Sequence, residues 1–415
     1  MPEFVKSRVV SVGGIGHNVG PAMNPIDALG ERMPRRGVAI GILHAGFVLT
    51  GVVTTLLGPI LPLLIARWSL SDARAGLFFT LQFCGNLVGI ASLSALLSRR
   101  GYRLTFFLGF SFMSLGILLL VPISELVGMI ATALFGYGLG LILSGTNLWV
   151  AEITRSRRAA ALSVINLAWG LGAILCPALV MFAQKEHELL TLLVGIAAFS
   201  GLTALVLAAT DIEPRFERSE NSDPEHRLEV ASKRTLVVLG GLFFLYVGTE
   251  ASVGGWAASL AKRTVTTSGD LWALSPMFFW FGLLAGRALT PVVLLRVSET
   301  SLAIGGLILS AIGTGLLLWV RTFQSAAISV AVSGLGLSSI YPLLVAWMVG
   351  YYGTQARRFG SILFALAALG GATMPWLVGF TSTETGSLRT GLFVPLVACL
   401  IMISLVSMRP GHSVS

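Results

Sequence analysis

Twelve times along this chain, a run of about twenty predominantly apolar residues recurs. Each run is long enough to cross the hydrocarbon of a bilayer as a helix. The runs fall at about 38–65, 74–97, 104–121, 125–149, 159–182, 189–208, 235–260, 271–295, 300–320, 323–349, 358–380 and 388–408. A helix that is apolar all round needs lipid or a large interior to cover it. The composition points to lipid. Of 415 residues, 55% are hydrophobic and only 11% charged, with a mean hydropathy of +0.85. Soluble domains carry about 25% charged residues. These values exclude a soluble enzyme, a disordered chain and a fibre. A net charge of +9 does not make the chain a nucleic-acid binder, because it has too little wettable surface. The 48 Gly and 16 Pro suit packed membrane helices. The expected fold is an all-α membrane protein with twelve transmembrane helices.

The polar segments divide those helices. Residues 1–37 form an N-terminal tail, and no cleavable secretory signal is read within it. Its Gly13-Gly14-Ile15-Gly16-His17 stretch lacks the Lys-Ser/Thr of a phosphate loop and reads as flexible tail. Residues 209–234 are a charged linker between a bundle at 38–208 and a second at 235–408, and 409–415 close the chain. With both termini cytoplasmic, 21 Lys and Arg fall inside, including Arg287 and Arg296, and 7 outside. That bias follows the positive-inside rule, so the expected location is the cell (inner) membrane, multi-pass, with both termini in the cytoplasm.

The two halves repeat with a period of about 200. Thr154-Arg-Ser-Arg157-Arg158 precedes the fifth run and Thr354-Gln-Ala-Arg357-Arg358 the eleventh. Gly170-Leu-Gly172 with Pro177 corresponds to Gly370-Gly371 with Pro375, and Gly138-Leu-Gly140 to Gly334-Leu-Gly336. Parallel repeats about an axis normal to the membrane predict two pseudo-symmetric six-helix bundles.

With these motifs in place, the chain resembles the major facilitator superfamily. The segment Ser94-Ala-Leu-Leu-Ser98-Arg99-Arg100-Gly101-Tyr-Arg103 is similar to that superfamily's Gly-x-x-x-Asp-Arg-x-Gly-Arg loop, with Ser94 for Gly and Ser98 for Asp. Gly286-Arg287 before Arg296 is its weaker second-half counterpart. Within the superfamily, the chain most resembles the fucose/glucose-type sugar–proton symporters. The stretches that carry this are Gly138-Leu-Gly140…Thr146-Asn147, Asn166…Trp169-Gly170-Leu-Gly172-Ala173, Tyr246…Glu250…Gly255-Trp256 and Gly370-Gly371…Pro375-Trp376. Where the fucose transporters have acidic residues in the first and fourth helices, this chain has His44 and Leu143. The resemblance implies a monomer.

Ionisable side chains inside a bilayer are costly and mark function. Glu250 is the one carboxylate deep in an apolar run. A low-dielectric cavity favours the protonated carboxyl, so Glu250 is expected to carry a coupled proton or accept from a substrate hydroxyl, with a structural bond as the bland alternative. His44 could shuttle a proton or hold a kink. Asn166 and Trp169 share a helix face, an amide for vicinal hydroxyls and an indole as a platform for a sugar ring. Gln82 and Asn86 line the cavity or bridge helices. Asn147, Tyr246, Trp256, Trp280 and Tyr341 complete the expected substrate-binding set. Glu152 is expected to pair with Arg155, Arg157 or Arg158. Pro59 and Pro62 in the first helix and Gly254-Gly255 in the seventh are expected to interrupt their helices.

Other chemistry is not written in the chain. Five His and three Cys are dispersed without metal-ligand or disulfide spacing. No nucleotide loop is present, so no cofactor or metal is expected, and energy must come from a gradient. The expected partners are protons, a small-molecule substrate (a sugar) and membrane lipid, with no nucleic acid. The reading is a secondary active transporter, not an enzyme, driving proton-coupled uptake of a hexose-like sugar by alternating access. Proton-driven efflux of amphipathic compounds, or transport of another small polar solute, is the alternative.

Overall fold

The computed structural model describes residues 32–120, 124–154, 158–186, 188–210, 212, 233–265 and 269–408. The Gly13–His17 stretch, most of the charged linker, and Arg155 and Arg157 lie outside these, and with them the pairing expected of Glu152.

The described residues are helical almost throughout. The first span is a bent pair, Arg32–Thr55 and Leu57–Trp68, and Asp72–Leu120 follows as 49 residues. At 1.5 Å per residue those 49 would extend about 74 Å, more than twice the ~30 Å of a bilayer core. The stretch breaks at Gly101, where φ is 74° and ψ −176°. That conformation is essentially confined to glycine, so the glycine of the Ser94–Arg103 motif turns the second span into the third. The later spans are Glu125–Ile153, Arg158–Lys185, Leu189–Ala209, Lys233–Thr264, Ser275–Val293, Glu299–Leu316, the broken pair Phe323–Leu337 and Ile340–Tyr352, Ala356–Thr385, and Leu388–Gly391 with Phe393–Ser407. The twelve expected spans are all present. Ser124, Ser298 and Thr322 cap the fourth, ninth and tenth, each accepting from a backbone N–H in the first turn. Apolar side chains such as Leu126, Phe182, Val237 and Trp319 lie exposed, as lipid-facing surface does.

Close helix crossings repeat between the halves. A Cβ on Gly51 would collide with the Trp169 carbonyl and one on Gly172 with that of Val48. In the second half, a Cβ on Gly370 would collide with the Phe244 carbonyl, and one on Gly248 would meet the Met374 side chain and then Gly370 O at 2.9 Å. Gly85 against Ala133 corresponds to Gly282 against Ala331, and Gly116 against Phe135 to Gly313 against Ser333. Each of these glycines lies 197 or 198 residues from its counterpart. Small residues let backbones approach in a membrane, where lipid already solvates apolar side chains.

This register corrects one equivalence read from sequence. Gly138 packs on Gly109 of the third span, whereas Gly334 packs on Phe279 of the eighth. The partner of Gly138 is therefore Gly336, on Gly306 of the ninth span, and that of Gly334 is Gly136, on Gln82 of the second.

The expectation for interrupted helices divides. The first span bends by 43° at Leu56. Pro59 and Pro62 follow and remove two N–H donors from its ladder. The seventh span runs unbroken through Gly254-Gly255. Those glycines instead receive the bend: a Cβ on Gly58 would lie 3.0 Å from Gly254 O, and one on Gly255 would lie 2.6 Å from the Phe79 ring.

The halves meet firmly at one end. Thr80 donates to Ala372 O at 2.6 Å, Ala73 N to Thr383 Oγ1 at 2.9 Å, and Arg263 to both oxygens of Asp72 at 2.7 and 2.5 Å. Ser382 donates to the same carboxylate at 2.5 Å. Second, seventh and eleventh spans are thus tied together where the first span ends.

Candidate functional site

Between the halves lies a cavity of about 160 Å³. Thr54, Thr55 and Gly58 at the bend of the first span form one wall, with Phe79, Gln82 and Phe83 from the second and Trp169 from the fifth. Val247, Glu250, Ala251, Gly254 and Gly255 of the seventh span and Trp280 of the eighth face them. Both halves therefore contribute, which a solute site in an alternating-access carrier requires.

Hydrogen bonds fix the polar part of this lining. Gln82 Nε2 donates to Thr54 O at 2.9 Å, which ties the second span to the bend. Trp169 Nε1 donates to Thr54 Oγ1 at 3.3 Å, and Thr54 passes its own proton to Thr50 O at 2.7 Å. The Trp169 and Trp280 rings meet edge-to-face with centroids 5.7 Å apart, a favoured aromatic geometry. Apart from Thr54, Thr55, Gln82 and Glu250, the lining is apolar or glycine.

Glu250 is the cavity's one ionisable side chain, and behind it stands a partner that sequence reasoning placed elsewhere. Arg287 lies inside the eighth span, Ser275–Val293, although the charge tally counts it among the cytoplasmic charges. Its Nη2 is 3.6 Å from Glu250 Oε1 and donates to the Tyr246 hydroxyl at 3.4 Å. Both distances exceed the usual 2.7–3.2 Å. Its Nε is buried without an acceptor. The Arg287 side chain is 28% exposed and Glu250 15%. The Tyr246 and Tyr341 rings stack obliquely at 5.7 Å, which places a second phenol beside the pair. The signal was present in sequence: Arg287 lies between the apolar runs Phe278–Leu284 and Ala288–Leu295, too deep for an unpaired charge.

The remaining expected residues fall in three places. Asn166 and Asn147 bond to each other at 3.3 Å, Asn166 exposed, and each also donates to the carbonyl one turn back. They lie outside the cavity lining, one turn beyond Trp169. Asn86 presents its backbone carbonyl to Gly140 and is not part of the lining. His44 bonds the Ile40 carbonyl through Nδ1 at 2.7 Å and is not part of the cavity lining. Trp256 is fully buried, and its indole N–H is spent on Pro375 O at 2.9 Å. It joins the seventh span to the eleventh and does not face the cavity. Among the described residues, no group of three or more His, Cys, Asp or Glu could hold a metal ion.

Two pseudo-symmetric six-helix halves around a shared central cavity define a membrane transporter, not an enzyme. The model of the Major Facilitator Superfamily matches residues 43–299, more than half of the chain, and the chain belongs to that family. Bypass of stop codon protein 6 of Saccharomyces cerevisiae is 24% identical over 88% of this chain and 80% of its own. The glucose/mannose transporter GlcP of Bacillus subtilis is 22% identical over 87% and 92%. Among solved structures, a bacterial homologue of the human lysosomal transporter Spinster, inward-facing and occupied, matches with a TM-score of 0.73 at 15% identity, covering 91% of this chain and 97% of that one. The Escherichia coli fucose:proton symporter FucP matches at a TM-score of 0.59 and 17% identity, covering 90% and 99%. A nucleoside transporter and a POT-family transporter also share the fold, so the fold does not select the solute.

Proposed function

We propose that this protein couples proton entry to uptake of a hexose-like solute by alternating access. The observation that carries the reading is the Glu250–Arg287–Tyr246 cluster at the wall of a cavity built from both halves. Glu250 is the proton site, and Gln82, Trp169 and Trp280 hold the solute, with the indoles against its C–H face and the amide on its hydroxyls. The similarity to a glucose/mannose transporter supports the solute class. With both termini cytoplasmic, the end tied by Asp72 and Arg263 faces outside, so the arrangement is closed outward. Protonation of Glu250 then favours loading from outside, and deprotonation accompanies release inside.

The apolar remainder of the lining favours a second reading, proton-driven efflux of an amphipathic compound. Uptake into proteoliposomes of labelled glucose, galactose, mannose and fucose, with and without an inward proton gradient, separates the two. Gradient-dependent accumulation of a sugar is the expected result. No sugar uptake, with a lipophilic cation moved against its gradient, would replace uptake with efflux.

A further inference from the structure

Arg287 poses an electrostatic problem that a neutral substrate does not solve. While Glu250 is ionised, the two charges compensate each other across 3.6 Å. When Glu250 takes a proton, a guanidinium remains between membrane-spanning helices with a neutral acid, a phenol and an unpartnered Nε. A buried charge that loses its partner is strongly unfavourable. The groups facing the pair do not replace the lost anion. The seventh span offers Tyr246, the tenth offers Tyr341, and the eighth offers Arg287 itself. The first, second and fifth spans offer only Thr54, Thr55, Gln82 and Trp169 across the cavity. The eleventh span, packed on the seventh, brings Met374 and Phe364.

We infer that the missing anion is the substrate's own, and that the transported solute is a polyhydroxy monocarboxylate, a sugar acid, whose carboxylate takes the place of ionised Glu250 on Arg287. This rests on the proposed proton–sugar reading and narrows its substrate. Arg287 has the donors for it: a planar fork suited to a carboxylate, weakly engaged at 3.4 and 3.6 Å and partly open to solvent. Trp280 lies seven residues, or two turns, along the same face, about 10 Å away, so an indole platform and the guanidinium share one face of the eighth span. Glu250 and the substrate carboxylate then compete for one cation. Protonation of Glu250 admits the anion; loss of that proton re-forms the ion pair and expels it. One proton and one anion enter per cycle, and no net charge crosses.

The test uses the purified full chain with D-glucuronate and D-glucose as probes. In proteoliposomes, an inward pH gradient at zero membrane potential is expected to accumulate glucuronate, and an inside-negative potassium–valinomycin potential alone is not. In binding, Glu250→Gln, which holds the site in the protonated charge state, is expected to take glucuronate about tenfold or more tighter than the parent at pH 7.5, in proportion to a charge-assisted bond, and Arg287→Gln is not. Glu250→Gln is expected to melt lower than the parent and to be restored by glucuronate but not by glucose. The double variant Glu250→Gln/Arg287→Gln, with neither charge, controls for folding. Accumulation of glucose with inward charge movement would overturn the sugar-acid inference and leave proton–sugar symport standing. No gain in glucuronate affinity for a Glu250→Gln protein that folds would also overturn it. Accumulation of neither glucuronate nor any of the four sugars glucose, galactose, mannose and fucose would overturn both readings.

Discussion

Arg263, the penultimate residue of the seventh span, grips both carboxylate oxygens of Asp72, the first residue of the second, at 2.7 and 2.5 Å. The two residues come from opposite halves, and Ser382 of the eleventh span binds the same carboxylate. Asp72 is buried while the Arg263 side chain is 38% exposed, so the pair sits between the surface and interior cases. Asp72→Asn is expected to destabilise this closed end by about 1–2 kcal/mol, or roughly tenfold in population. Spin labels at exposed Ser71 and Glu384 would record it as growth of a longer distance. An unchanged distribution would mean the latch does not hold this end shut.

The architecture was legible because its cause is local. Twelve apolar runs, a charged segment between two sets of six, and Gly101 in the turn motif are all written in short stretches. Register was less so: the paired Gly-Leu-Gly motifs look alike, but which glycine meets which neighbour depends on the rotation of each helix. The site was half legible. Glu250, Gln82, Trp169 and Trp280 do line one cavity. Arg287 is counted with the cytoplasmic charges because a basic residue near a span end looks cytoplasmic until its partner is seen. Trp256 and Trp280 are both indoles in apolar runs, and it is the bond to the Pro375 carbonyl that turns Trp256 toward the eleventh span while Trp280 lines the cavity.

That separation of the tryptophans is measurable. Trp256→Phe keeps an aromatic ring but leaves the Pro375 carbonyl without its donor, an expected loss of about 1–3 kcal/mol of stability. It should lower the melting temperature and leave the KM for the transported solute near that of the parent. Trp169→Phe is expected to behave in the opposite way, raising KM with little change in melting, because Trp169 lines the cavity and its bond to Thr54 is long at 3.3 Å. Equal effects of the two on KM would contradict their placement.

The crossing glycines predict a symmetric result. Gly172→Ala drives a methyl into the Val48 carbonyl of the first span, and Gly370→Ala drives one into the Phe244 carbonyl of the seventh. Overpacking of this kind costs about 1–3 kcal/mol, and the two should lower thermal stability by similar amounts. Gly195→Ala, with nothing within 4 Å of the new methyl, is the control and should be neutral or slightly stabilising, since alanine favours the helix. A large difference between Gly172→Ala and Gly370→Ala would break the pseudo-symmetry read from the packing.

Gln82 joins the bend of the first span to the cavity, and its loss should be felt in both. Its Nε2 satisfies Thr54 O just before the break at Leu56, and its remaining amide atoms belong to the cavity lining. Gln82→Leu keeps the volume and removes every polar atom. The Thr54 carbonyl then loses its side-chain donor, and the solute loses an amide, for about 1–3 kcal/mol. KM is expected to rise about 10- to 100-fold. Gln82→Asn, one methylene shorter, keeps the amide but cannot both reach Thr54 O and hold its place in the wall. It should recover part of the affinity if the amide acts on the solute, and none if Gln82 serves only to pin the bend. A Gln82→Leu protein with parental KM and lowered melting temperature would assign this residue to the bend alone.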